Sequence, residues 1–315
     1  MPVTYTDTSR HSDNVIFDKE VSQEIITKAI EDSAFMQLMP RMQIAGNGKK
    51  YQTIVGDPVP EWVAETAAKP VGKFDFGKKE VMPYKMAIIV PFSNEFRRDK
   101  QALYNECVGR LPKLFGRKFD ATCMSTVAPG ENFDVFGSAT KATILPDTGI
   151  TVYDRFVAVD ALIGAANGVM SGIALGTKGR SIVLAAKDET GRPLFTAGVQ
   201  SGQLTDILGA EVNVKKGIYV AGTAGSTPDV VGLAGDFENA AWGAVESIQG
   251  TISEEATLYY KDESNQDVVL PLWQNNMFAV RFEIELASMI RDLSTFVLLT
   301  GNTPVATTTT TTTGE

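Results

Sequence analysis

The chain has 315 residues, 43% of them hydrophobic, and a formal net charge of −9. A chain of this mass buries about three-quarters of its unfolded surface, ample for one or two cores, and no run of about 18 apolar residues is present, so no membrane span is expected. The acidic balance argues against a dedicated nucleic-acid binder, whose phosphate contacts need clustered Lys and Arg, but not against a container for nucleic acid.

His11 is the single histidine. A multi-His metal site within one chain is thereby excluded. Ser-His-Asp or Cys-His catalysis would rest on a residue in a polar segment with no sign of a fixed pocket. Cys107 and Cys123 are too few for a disulfide framework or a structural zinc site. They lie sixteen residues apart in one predicted helix, about 24 Å along its axis, and cannot bridge within it. Buried thiols acting as small hydrophobes are expected. No catalytic residue, metal or cofactor is assigned.

Met1 to Ile16 is polar and alone would be a disordered arm. It lacks the basic and apolar segments of a secretion signal, so use in a cytosol is expected. Phe17 to Leu38 has helical spacing: Val21, Ile25, Ile26, Ala29 and Ile30 recur at three and four residues, Asp18 stands at the N-cap, and Pro40 ends the run. Tyr51 to Val55 is a predicted short strand, and Gly56-Asp57-Pro58 turns the chain.

Pro60 to Pro91 is the stretch around which the rest is organised. In its second half Tyr84, Met86, Ile88 and Val90 fall on one side and Lys85 and Ala87 on the other, the period of a strand with one buried face. Its first half carries Trp62, Phe74 and Phe76, with turn residues between Ala67 and Lys73. The expectation is a long two-stranded arm with its tip near Lys69 to Lys73, reaching about 30 Å. An isolated ribbon is marginal in water, and one displaying Trp62, Phe74 and Phe76 is a sticky edge. The residues leave two readings open: the arm's partner surface lies on another copy of the chain, or the same residues form two ordinary strands of a local sheet.

Ser93 is placed to cap a helix running to about Val127, with Leu103, Cys107, Val108, Leu111, Leu114, Phe115, Phe119 and Cys123 as one apolar stripe. Arg97, Arg98, Lys100, Arg110, Lys113, Arg117 and Lys118 crowd its other faces, and Pro112 should bend it. Both nucleic acid and acidic neighbours are open as partners for its basic side. Ala128 to Pro146 is irregular, with a boundary expected near residue 148. Thr151 to Asp154 resembles a capping box opening a helix with Phe156, Val159, Leu162, Ile163 and Ala166 inward. Ser181 to Ala186 is a predicted strand followed by a polar turn, Lys187 to Phe195. Asp188 and Glu189 sit in that turn without an apolar pocket to separate their pKa values, which counts against an acid–base pair. Asp236 is a predicted cap for a helix from Phe237 to Ile248 rather than a catalytic acid.

Gly250 to Tyr260 and Asp267 to Trp273 form a predicted hairpin, and Phe278, Val280, Phe282, Ile284 and Leu286 alternate with Arg281, Glu283 and Glu285 in the clearest strand of the chain. Thr295 to Leu299 is a final strand. Seven consecutive threonines in the last eleven residues are low-complexity sequence, solvated or lying on a neighbour. Gly222-Thr-Ala-Gly-Ser lacks the Lys-Ser/Thr of a phosphate loop.

Several of these stretches, in this order, resemble the HK97-fold phage major capsid proteins: Trp62-Val63-Ala64-Glu65, the return strand ending Val90-Pro91-Phe92-Ser93-Asn94-Glu95, Lys187-Asp188 with Gly191 and Leu194, Leu208 to Val214, and Val230 to Phe237 with its Gly-Asp-Phe. The resemblance spans about residues 20 to 300. It implies an α+β subunit with the HK97-like capsid fold: an N-terminal arm with the first helix (1–30), the start of a peripheral domain (31–59), an extended β-hairpin loop (60–91), the peripheral domain with a long spine helix (92–148), an axial domain (149–285), a return to the peripheral domain (286–303) and a Thr-rich tail (304–315). It implies a non-enzymatic protein that self-assembles through hexamers and pentamers into an icosahedral shell around double-stranded DNA, in the virion after assembly in host cytoplasm. Partners expected are further copies of itself, a portal protein and a separate scaffolding or decoration protein. With the first helix near residue 17, no scaffolding segment is expected within the chain itself. Trp62, Lys69, Lys73, Phe74, Phe76, Arg97 and Arg98 are the candidate inter-subunit contacts. Lys69 and Lys73 also lie where some relatives cross-link to a neighbour's Asn. The alternatives are an encapsulin-like nanocompartment, which shares the fold, and a soluble enzyme of unknown activity.

Overall fold

The computed structural model describes residues 29–30, 32–56, 58, 60–63, 65, 68–187, 191–194, 204, 206–245, 249–261 and 265–302. His11, Asp188, Glu189, the threonine tail and the predicted helix up to residue 28 lie outside them.

Among the described residues, two larger sheets form the body and two two-stranded ribbons stand beside them. The first sheet is organised on β14 (Met277–Ile290), fourteen residues whose Phe278, Val280, Phe282, Ile284 and Leu286 are buried, as the alternation predicts. On one edge it pairs antiparallel with β4 (Tyr84–Ser93), from Met277 opposite Ser93 to Leu286 opposite Tyr84. On the other it pairs with β10 (Ala240–Ala244) and β11 (Gln249–Ser253), and β10 carries β1 (Arg41–Gln43) in parallel. Cross-strand charges lock the β4 edge: Lys85 lies 3.3 Å from Glu283 and 3.5 Å from Glu285.

The second sheet runs β5 (Thr140–Thr143), β15 (Phe296–Thr300), β9 (Val230–Gly235), β6 (Gly172–Leu175), β8 (Ala210–Val214), β7 (Asp206–Ile207). Phe156, Val159 and Ile163 of one helix, Val152–Ala165, pack with Ile173, Leu175, Val231, Val297 and Leu299 into its core. That helix opens on a complete capping box: Thr151 Oγ1 accepts from Asp154 N, and the Asp154 carboxylate accepts from Thr151 N.

Helix α1 (Ala34–Leu38) lies against β6 and β8 of the second sheet, α2 (Asn94–Asp99) lies against β4, and α3 (Gln101–Met124) shares a core with residues of both sheets; Val152–Ala165 and Thr177–Leu184 are α4 and α5. Ser93 caps α2, its Oγ accepting from Phe96 N at 3.0 Å. The single long helix expected from Ser93 is two, because Lys100 leaves the helical region at φ −129°, ψ 43°. At 1.5 Å per residue, α3 is about 36 Å long. Leu111, Phe115, Phe119 and Cys123 bury the predicted stripe, whereas Leu114 is exposed.

Four expectations are corrected. Tyr84 to Val90 is not an arm strand but part of β4, an edge strand of the first sheet paired along its length with β14. The ribbon is β2 (Lys49–Gly56) against β3 (Asp75–Val81), and Trp62 and Val63 are in neither strand. Pro83 separates β3 from β4, lacking the N–H a continuing ladder would use. Ser181 to Leu184 is the end of α5 with Ala185 as its C-cap, not a strand: a short apolar run has no period that separates the two. Phe237 to Ile248 is not a helix. Asp236 does cap, accepting from Glu238 N and Asn239 Nδ2, but over a 3-10 turn of three residues before β10, which is buried at every position. Gly250 to Ser253 joins the first sheet, and the hairpin is β12 (Thr257–Lys261) with β13 (Asp267–Pro271).

Sheet membership also cuts across the expected segments. β10, β11 and β14 up to residue 285 fall within the expected axial span yet belong to the same sheet as β4. β15, expected to return to the spine, lies between β5 and β9.

Candidate inter-subunit surface

The β2–β3 ribbon leaves the body at Gly48 and returns at Met82. Gly48 has φ +78°, and a Cβ there would meet Met82 Sδ at 2.5 Å and Val81 O at 2.6 Å, so the two legs cross the root at a spacing that glycine permits. From there the ladder runs from Lys49 opposite Val81 to Gly56 opposite Asp75.

Beyond the ladder the chain carries large apolar groups into solvent. Trp62 and Val71 are fully exposed, Phe74 is 52% exposed, and Lys69 and Lys73 are exposed beside them. Phe76 sits in β3 opposite Ile54, its side chain outside the described groups. Four of the residues singled out from the sequence, Trp62, Lys69, Lys73 and Phe74, therefore lie in one loop at the far end of the ribbon. Arg97 and Arg98 do not join them. The Arg97 guanidinium stands 4.5 Å over the Phe278 ring and 3.8 Å from Glu254, inside its own subunit. Arg98 pairs with Asp99 at 2.8 Å, which raises the arginine's pKa and holds the Asp99 carboxyl below its usual range.

The basic face predicted for the long helix is partly spent on neighbours. Arg110 pairs with Glu106 one turn away, and Arg117 pairs with Asp32. Lys113 and Lys118 are exposed. Among the described residues, no group of three His, Cys, Asp or Glu is placed to hold a metal, and no helix is long and apolar enough to cross a membrane.

The structure adds two features that the sequence reading missed. Asp120 is wholly buried on α3 and receives Ser33 Oγ at 2.5 Å, Ala34 N at 2.9 Å and Phe35 N at 3.3 Å. It thus anchors the start of α1, satisfying helix-end donors that would otherwise be buried alone. Burial pushes its pKa up to about 7 against the pull of those three donors. Burial also raises the Cys123 thiol well above its ordinary value. The only sequence signal for Asp120 is a carboxylate next to Phe119 in an otherwise apolar stripe. The second is the exposure of Tyr259, Val269 and Trp273 on and just after the β12–β13 hairpin, which the sequence predicts as a hairpin but not as an apolar surface.

Comparison with known proteins accounts for this combination of a compact two-sheet body and a projecting apolar-tipped ribbon. The family model described as "Phage capsid family" matches residues 14–301. The probable major capsid protein gp17 of Mycobacterium phage D29 is 28% identical over 289 residues, covering 90% of this chain and 89% of that protein. Among solved structures, a chain from Mycobacterium phage Adephagia superposes with a TM-score of 0.68 at 15% identity, covering 85% of this chain and 89% of that one. The capsid of a native GTA particle, computed with C5 symmetry, gives 0.58 at 13% identity, covering 88% and 90%. The mixed helix-and-sheet architecture is the HK97-like α+β fold, and this chain belongs to the phage capsid family.

Proposed function

We propose that this chain is the major capsid protein of a tailed bacteriophage, whose copies associate through hexamers and pentamers into an icosahedral shell around double-stranded DNA held without sequence-specific contacts. The observation that carries the reading is the ribbon tip. Trp62, Val71 and Phe74 stand in solvent at the end of a two-stranded projection, in a chain of a capsid family. A tryptophan side chain buries about 150–250 Å², which at about 25 cal/mol per Å² corresponds to some 4–6 kcal/mol before the costs of association. A neighbouring copy is the surface that recovers it.

On this reading the second sheet, with α4 and α5, forms the axial domain near the capsomer centre. The first sheet and α3 form the peripheral domain, with α3 as its spine. Shell assembly takes place in the host cytoplasm with a portal protein and a separate scaffolding or decoration protein. Lys69 and Lys73 contact a neighbour beside Trp62 and Phe74, and the chemistry of the shell is structural rather than catalytic. Electron microscopy of the purified protein tests the assignment. Closed particles of uniform size are expected, and a lone subunit that stays monomeric at high concentration overturns it.

A further inference from the structure

We propose that Lys79 and Asp134 form a clamp that sets the angle at which the ribbon leaves its own subunit, and so determines where Trp62 and Phe74 are presented. The inference rests on the reading of the ribbon as an inter-subunit element.

The root of the ribbon needs such a device. Its core there is small: Ile44, Val81, Ala241, Ala287 and Met289. Among the described side chains of the two ribbon strands, Val81 alone is buried, with Tyr51 packed beside it. One buried residue and its neighbour make a pivot, which leaves the angle of the projection open. Lys79 supplies a second point. It is two residues further out than Val81, hence on the same face of the strand. Its Nζ lies 2.7 Å from the Asp134 carboxylate and donates as well to the carbonyl of Ile290.

The landing point is itself fixed. Asp134 Oδ2 accepts from Ile290 N at 2.7 Å, and Asp134 N donates to Ser288 O at 3.2 Å. The neighbouring loop is stitched to the other side of the root, where Met82 N donates to Asn132 O at 3.1 Å and the Tyr84 hydroxyl donates to Glu131 O at 2.7 Å. Lys79 and Asp134 are both part-buried, with side chains 32% and 27% exposed, so solvent screens this pair less than the more exposed Lys50–Glu80 pair of the ribbon. Lever geometry makes the angle matter. Eight residues of β2 extend about 26 Å, so a swing of about 10° moves the far end by about 4.5 Å. Interfaces packed like protein interiors do not absorb displacements of that size.

The test separates the clamp from the capsid reading. Spin labels are placed on Gln52→Cys in the ribbon and Lys141→Cys in the second sheet, both exposed positions, in a Cys107→Ser background. Pulsed electron resonance on dissociated subunits then gives the distance distribution for wild type, Lys79→Met, Asp134→Asn and Lys79→Arg. Assembly of the unlabelled proteins is imaged in parallel. The clamp predicts a distribution that broadens in Lys79→Met and Asp134→Asn and narrows again in Lys79→Arg. Closed shells should be lost or misshapen in the first two while the subunit melting temperature holds. An unchanged distribution in Lys79→Met overturns the clamp. A broadened distribution with normal shells overturns its role in assembly. Failure of the wild type itself to form particles overturns the capsid reading on which the inference rests.

Discussion

Replacing Asp120 by alanine removes the acceptor of three buried donors, and its cost can be worked from the contacts. Ser33 Oγ, Ala34 N and Phe35 N each lose their bond at 2.5, 2.9 and 3.3 Å. The Ser33 oxygen still accepts from Met36 N at 3.1 Å, so α1 keeps one cap. An orphaned buried donor costs about 1–3 kcal/mol. With partial rearrangement the total at pH 7 is about 3 kcal/mol. The cost also depends on pH. The folded carboxyl, near 7, lies above its unfolded value of 3.8 because burial disfavours the anion. Between those two pH values the folded state therefore binds the extra proton. The stabilisation from this group is complete below the unfolded value and is lost as pH rises through the folded one, at up to about 1.4 kcal/mol per pH unit. Urea unfolding of dissociated subunits at pH 5, 6 and 7 reads the difference between wild type and Asp120→Ala. The gap should widen by about 2–3 kcal/mol from pH 7 to pH 5. Asp120→Asn, which keeps the volume but cannot titrate, should lack the wild-type slope. A gap under about 1 kcal/mol, or one that is flat across the range, refutes the reasoning that this carboxylate anchors α1.

Other substitutions separate assembly from folding. Trp62→Ala and Phe74→Ala should leave subunit melting unchanged, since both side chains are exposed, and should each weaken particles by about 2–4 kcal/mol per contact, as interface anchors do; denaturant titration of particles followed by light scattering measures this. Gly116→Ala sits in mid-helix, where alanine normally gains about 1 kcal/mol, yet its Cβ would meet Ala29 O at 2.3 Å. The close approach should win, with a net loss of about 1–2 kcal/mol in chemical denaturation. Thr151→Ala should cost about 1 kcal/mol by breaking the capping box of α4, and Thr151→Ser should restore it.

The sequence carried local features better than pairings. The alternation in Phe278 to Leu286, the Thr151 box and the caps at Ser93 and Asp236 are all present because each depends on neighbours within a few residues. The alternation of Tyr84 to Val90 was equally visible, but its partner is β14, some two hundred residues on, and no local signal names a partner at that distance. The alternation therefore points to the wrong pair of strands for the ribbon, while the apolar residues between them mark its exposed tip. β10 and α5 are short apolar runs, and periodicity cannot tell a strand buried on both faces from a helix. Lys79 and Asp134 look like ordinary surface charges until the fold brings them to one root. Arg97 was singled out for its place in a basic run, yet the Phe278 ring and Glu254 engage it within the subunit.

On the proposed function, this subunit completes its packing on copies of itself through the ribbon tip. Hydroxyl-radical footprinting of Trp62 and Phe74, compared between dissociated subunits and assembled particles, tests it most directly. Rapid oxidation of both is expected in the subunit and strong protection in the particle, while Phe282, buried in the subunit core, stays protected in both. Equal oxidation of Trp62 and Phe74 in the two states would contradict it.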